Sequence, residues 1–195
     1  MPTAILFALT VAPAAHAARS EVIASVGTIA PANSEYRFAA EYGLNYGRNG
    51  QRNDYEGEVG YLREATSWLT VGPVARLYWG RMRAPYDGIP ALELWAGSLA
   101  ARAEIDLLKW PRLFVWADPS LGLGSIGVPD ARKTLGFWGI RGGVGIGSRR
   151  DAPWGLRLRV GYGYAPTFSP VTDLTGTFEW GGVMFMLDGV FRVSK

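Results

Sequence analysis

The sequence predicts an all-β chain: an eight-stranded antiparallel up-and-down transmembrane β-barrel. Three observations carry this expectation. Long segments alternate with period two, so that one face is apolar and the other charged or small. Short and long links alternate strictly between those segments. Aromatic residues gather at both ends of the segments, as they do at the two water–lipid interfaces of a spanning wall. Composition agrees: 48% of the 195 residues are apolar, yet no run approaches the roughly 18 needed for a spanning helix.

Residues 1–17 read as an export signal. Ala4–Val11 is a short apolar core, Pro13 breaks it, and Ala15-His16-Ala17 offers a small-x-small cleavage pattern, although no Lys or Arg lies near Met1. Residues 18–34 lack sustained alternation and are expected as a periplasmic lead-in, with at most a short strand around Val22–Ile29. The barrel is then expected over 35–195.

The first strand is expected at 35–46. There Tyr36, Phe38, Ala40, Tyr42, Leu44 and Tyr46 oppose Glu35, Arg37, Ala39, Glu41, Gly43 and Asn45. Twelve alternating residues exceed the about 9–11 a tilted strand needs to cross a bilayer. After the polar loop 47–53, a second strand at 54–64 sets Tyr55, Val59 and Tyr61 against Glu56, Glu58 and Gly60. The link Ala65–Ser67 is short, predicting a tight hairpin. The third strand, 68–80, turns Leu69, Val71, Ala75, Leu77 and Trp79 outward. Pro73 inside it costs a ladder hydrogen bond and predicts a bulge.

A long loop, 81–90, leads to a fourth strand at 91–107. Its Ala, Leu and Glu content would also suit a helix, but Ser98, Arg102, Glu104 and Asp106 fall on one face of a strand. The short turn Leu108–Pro111 precedes a fifth strand, 112–123, with Arg112, Asp118 and Ser120 inward. Loop 124–133 is long. The sixth strand, 134–148, points Trp138, Ile140, Val144 and Ile146 outward and Arg141 inward. The short turn Arg149–Pro153 leads to the seventh, 154–164, where Trp154, Leu156, Leu158, Val160, Tyr162 and Tyr164 oppose Arg157, Arg159 and three glycines. A long loop, 165–176, precedes the eighth, 177–193, whose phase is ambiguous at Gly181-Gly182. Four longer loops and three short turns put both ends of the barrel on the short-turn side. Tyr46, Tyr55, Trp79, Trp95, Trp138 and Tyr164 mark the loop end; Tyr36, Tyr61, Trp68, Trp110 and Trp154 mark the turn end.

With these patterns the chain resembles the small eight-stranded bacterial outer-membrane barrels, the class of the OmpA transmembrane domain and the OmpX and OmpW groups. The final Val183-x-Phe185-x-Leu187-x-Gly189-x-Phe191 resembles that family's assembly signal, although two further alternating steps are followed by Ser194-Lys195. The resemblance implies export to the outer membrane. It also implies contact with outer-membrane lipid and lipopolysaccharide, handling by the assembly machinery, and a monomer.

The inward face is rich in both charges. Glu41, Glu56, Glu58, Arg76, Asp118 and Arg141 are expected at mid-height or above, as a candidate lumen gate. Glu35, Arg37, Arg102, Glu104, Asp106, Arg112, Arg157, Arg159, Asp188 and Arg192 are expected nearer the turn end. An eight-stranded barrel has an interior that side chains just fill, so a packed ion-pair network is the first expectation and a narrow water or ion path the second.

Enzyme chemistry finds little support. The single His, His16, lies in the export signal, and there is no Cys. Ser98, Ser120 and Ser169 therefore lack an activating base, and Glu56 and Glu58 suit a barrel wall. The glycine cluster 139–147 does not match a nucleotide-binding spacing. No metal site or cofactor is expected. The net charge of +3 is small and scattered, without the basic block that nucleic acid would call for. A soluble lipocalin-like carrier would need an apolar cavity and a polar exterior, the reverse of this pattern. The expected function is a non-enzymatic, structural or surface-displaying outer-membrane protein; the alternative is a narrow, porin-like channel for ions or small solutes.

Overall fold

The computed structural model describes residues 19–31, 52–82, 91–128, 131–149, 151–170 and 177–193. Ten strands are present among them: β1 (Ser20–Pro31), β2 (Arg52–Glu64), β3 (Leu69–Met82), β4 (Leu92–Lys109), β5 (Arg112–Val128), β6 (Ala131–Gly147), β7 (Trp154–Tyr164), β8 (Pro166–Pro170), β9 (Thr177–Glu179) and β10 (Gly182–Val193). Eight of them close on themselves in the order β5-β4-β3-β2-β1-β10-β7-β6, with β6 paired back to β5. Every wall pairing is antiparallel. Closure leaves no edge along the shared height of the wall, which a sheet with one apolar face otherwise struggles to protect. The remaining two strands, β8 and β9, form a small hairpin above β6, attached through Phe137↔Thr167.

Parity along each strand decides what faces where. On β10 every second residue is buried, from Gly182 to Arg192, and the residues between are exposed. Leu77, Leu99, Leu121, Leu123, Leu156, Phe185 and their neighbours make the outside almost wholly apolar, while the buried set holds most of the charge. That is an inside-out arrangement by the standard of a water-soluble barrel. Exposed rings ride at both rims. At the loop end half-buried Trp79 stacks on Tyr55 at 5.6 Å and tilts against Trp95 at 5.9 Å, and Trp138 meets Tyr164 edge-on at 5.8 Å. Tyr61, Trp68, Trp110 and Trp154 are exposed at the turn end.

Several expectations are corrected. Residues 18–34, expected as a lead-in, supply the full strand β1. It pairs from Ser20↔Val193 to Pro31↔Gly182 on one side and with β2 on the other. Its outward residues Val22, Ala24, Val26, Thr28 and Ala30 are small or β-branched, and its inward ones include Ile23 and Ile29. Alternation in hydropathy is therefore weak even though alternation in space is complete. The expected strand 35–46, with Glu35, Tyr36, Arg37, Glu41 and Tyr46, lies outside the described residues, as does the export signal 1–17.

Pro73 does not produce a bulge. Gly60↔Val74 and Arg63↔Val71 have one register, and Pro73 itself faces Ala101 on β4 in the register of its neighbours. The irregularity falls instead between Asp106 and Leu108 on β4. Most of the expected long loop 124–133 is strand, because β5 and β6 stay paired up to Val128↔Ala131. The segment 177–179 belongs to the small hairpin, and the wall strand begins at Gly182. The chain leaves the hairpin and enters the wall at Trp180-Gly181, which is why the phase is ambiguous there.

Candidate functional site

The interior is built from side chains that parity sends inward and register brings to common heights. Glu56 and Glu58 share a face of β2 because they are two apart. Glu58 lies directly opposite Arg76 on β3, and Asp118 on β5 directly opposite Arg141 on β6. Arg76 Nε donates to Glu58 Oε1 at 2.8 Å and lies 3.7 Å from Glu56, while another of its nitrogens pairs with Asp118. Arg141 closes on Glu56. Arg102 Nη2 donates to Glu58 Oε1 at 2.9 Å and to Asp118 Oδ2 at 2.8 Å. Arg159 reaches the other oxygen of Glu58. Five of the six candidate gate residues therefore meet in one knot, and Glu41 lies outside the described residues.

Arg102 and Arg159 stand nearer the turn end along their strands, as expected, yet their guanidiniums join this knot. The cause is side-chain length: a guanidinium reaches well beyond the height of its own Cα. Arg159 also links the knot to a second one below it, since its Nε donates to Asp188 Oδ2 at 2.8 Å. There Arg157 joins Asp188 at 3.1 Å and Glu104 at 2.8 Å. Arg112 holds Glu104 at 3.0 Å, Asp106 at 2.9 Å and Glu21 at 3.4 Å. Glu21 in turn accepts from Arg192 Nε at 3.0 Å. Sequence reasoning missed Glu21 because its strand was missed.

The two knots form one connected network of seven carboxylates and seven guanidiniums. Equal numbers matter here, because an unpaired charge away from water costs several kcal/mol or more (roughly). Two inward aromatics of β5 support the guanidinium planes. Trp116 lies beneath Arg102 and Arg159, at 5.2 and 5.0 Å, and Phe114 beneath Arg112 and Arg157, at 4.6 and 5.2 Å. These are cation–π distances. Gly145 of β6 leaves the space that Phe114 occupies; a Cβ there would collide with the ring.

Above the network sits an apolar roof. Trp180, fully buried, meets Phe178 edge-on at 4.8 Å and Tyr78 edge-on at 5.4 Å, and tilts against Phe137 at 5.9 Å. Leu94, Ile126, Leu135 and Met184 join the same cluster. The hairpin holds the tryptophan in place: Trp180 N–H donates to Ala165 O at 2.9 Å, and Phe178 N–H to Thr167 Oγ1 at 3.0 Å. Beside the network, Ile23, Leu62, Val74, Ala100 and Val190 form a smaller apolar pad. The described lumen thus carries a roof, two ionic levels and a pad.

No family model matches the chain, and no curated protein is similar to it. Solved structures are. The crystal structure of Ail, the attachment invasion locus protein of Yersinia pestis, aligns at 11% identity over 91% of this chain and 99% of that one, with a TM-score of 0.49. Neisserial surface protein A aligns at 13% identity over 92% and 98%, with a TM-score of 0.43. The N-terminal β-barrel domain of Pseudomonas aeruginosa OprF aligns at 15% identity over 89% and 97%, with a TM-score of 0.38. Closure of this wall into an eight-stranded barrel is established by its own ladders.

Proposed function

We propose that the chain is a non-enzymatic outer-membrane barrel whose wall spans the bilayer. It would act as a structural or surface-displaying element around a lumen that is shut at rest. The observation that carries this reading is the joint occupancy of the interior by the fourteen-membered ionic network and the Trp180 roof. The apolar exterior and its two aromatic rims supply the membrane-spanning part. Contact with outer-membrane lipid and lipopolysaccharide, handling by the assembly machinery and a monomeric state belong to the same proposal.

Two measurements test it. Leu99 is 71% exposed at mid-wall, beside exposed Leu121. Leu99→Arg is expected to destabilise the bilayer-inserted barrel by about 2–4 kcal/mol, the cost of a midplane arginine on a barrel wall. Denaturant titration in lipid reads it, and a near-neutral result would put that wall in water. In planar bilayers, the inserted wild-type chain is expected to be electrically silent.

A narrow ion or small-solute path is the second reading, favoured by one observation. Arg102 Nη1, Arg157 Nη2, Arg159 Nη1 and Trp116 Nε1 are buried N–H groups without a hydrogen-bond acceptor among the described residues. Buried donors of this kind are ordinarily satisfied by water. Discrete wild-type openings that change when Arg76 is neutralised would favour this path over a shut lumen.

A further inference from the structure

At the turn end, two neighbouring turns bring together cations and an indole for which the lumen has no use. Lys109 ends β4. Across the turn it faces Arg112 of β5, which faces Gly147 of β6, two residues before Arg149. The guanidinium of Arg149 lies 4.5 Å from the centre of the Trp110 ring, so the two turns touch through this contact. Lys109, Trp110 and Arg149 are all exposed.

Neither cation makes an ion pair among the described residues. Asp106, the acid nearest Lys109 in sequence, holds the inward Arg112 at 2.9 Å. The other acid of the corner, Asp151, is exposed in the turn of Arg149. The loop end differs, for there Arg132 is already paired with Glu93. Directly toward mid-wall from the corner, the surface is apolar. The irregularity after Asp106 leaves Leu107 and Leu108 both exposed, next to Ile105 and, across β5, Ile146.

We infer that this corner seats the phosphate of an anionic glycerophospholipid from the leaflet at the turn end. Lys109 and Arg149 supply the charge complement, Trp110 lies at the level of the glycerol, and the chains run along Ile105, Leu107, Leu108 and Ile146. This rests on the membrane-spanning reading above. A polybasic contact of this type is worth about 1 kcal/mol per cation near the surface, which is about fivefold in affinity.

The test is electron paramagnetic resonance of the full chain in phosphatidylcholine vesicles, doped with spin-labelled phosphatidylglycerol or spin-labelled phosphatidylcholine. The wild type is expected to restrict phosphatidylglycerol with an affinity about 25-fold higher, about fivefold for each of the two cations. Lys109→Ala with Arg149→Ala should bring the ratio to about one, and Arg132→Ala at the opposite rim should leave it unchanged. All three positions are exposed, so folding is not at stake. Equal restriction of both lipids by the wild type, or a preference that survives the double substitution, would overturn the inference. If no lipid of either kind is restricted, the membrane-spanning reading falls, and this inference with it.

Discussion

Glu58→Ala is expected to destabilise the inserted barrel by about 3–5 kcal/mol, the usual cost of breaking a buried pair from one side. The reason is specific to this position. Glu58 is shared by Arg76, Arg102 and Arg159, and truncation strands three buried guanidiniums. Asp118 and Asp188 absorb part of the imbalance, since each already touches one or two of them. Glu93→Ala is the matched control. It removes the partner of one arginine at an exposed rim and should cost under about 1 kcal/mol. Denaturant titration of both variants in the same lipid, followed by tryptophan fluorescence, decides the matter. Similar small losses would mean that water reaches the knot freely.

Trp180→Ala should be about as costly, roughly 3–5 kcal/mol, because it empties the largest fully buried side chain among the described residues from a cluster of rings. Its electrical consequence is more telling. Roof and network lie in series along the lumen, so Trp180→Ala alone should stay silent in a planar bilayer. The combination with Glu58→Ala should conduct. Conductance from the tryptophan substitution alone would show that the ionic levels do not seal the lumen.

Much of this was legible in the sequence, and the limits have physical causes. Apart from the break at Asp106–Leu108, the wall strands from β2 to β10 follow parity, and parity survives without any knowledge of partners: each residue predicted outward on β2, β7 and β10 is exposed. Parity fails to announce a strand when both faces are mildly apolar, which is how β1 and Glu21 were missed. It also misleads where the interior itself is apolar. Tyr78, Phe114, Trp116, Phe137 and Met184 point inward, and a simple contrast of charged inside with apolar outside has no place for them. The candidate gate was legible as a face and as a common level, but not as a set of partners. Register, which sequence spacing does not specify between distant strands, puts Glu58 beside Arg76 and Asp118 beside Arg141. Side-chain reach then draws in Arg102 and Arg159. The Trp180 roof had no signal of its own, since a buried indole just before a strand looks like any rim aromatic.

The ionic network has a further consequence for how the wall comes together. Of its fourteen members, β1 to β4 contribute Glu21, Glu56, Glu58, Glu104 and Asp106 against only Arg76 and Arg102. The other half of the wall, β5, β6, β7 and β10, reverses the balance, with Arg112, Arg141, Arg157, Arg159 and Arg192 against Asp118 and Asp188. Each half-sheet is thus a polyion of opposite sign to the other, near −3 and +3 in network charge. A half-sheet curling onto itself, or onto its twin from another chain, would repel. Neutrality is reached only when the amino-terminal and carboxy-terminal halves meet at both seams, so the charge order along the chain selects its own partner during closure.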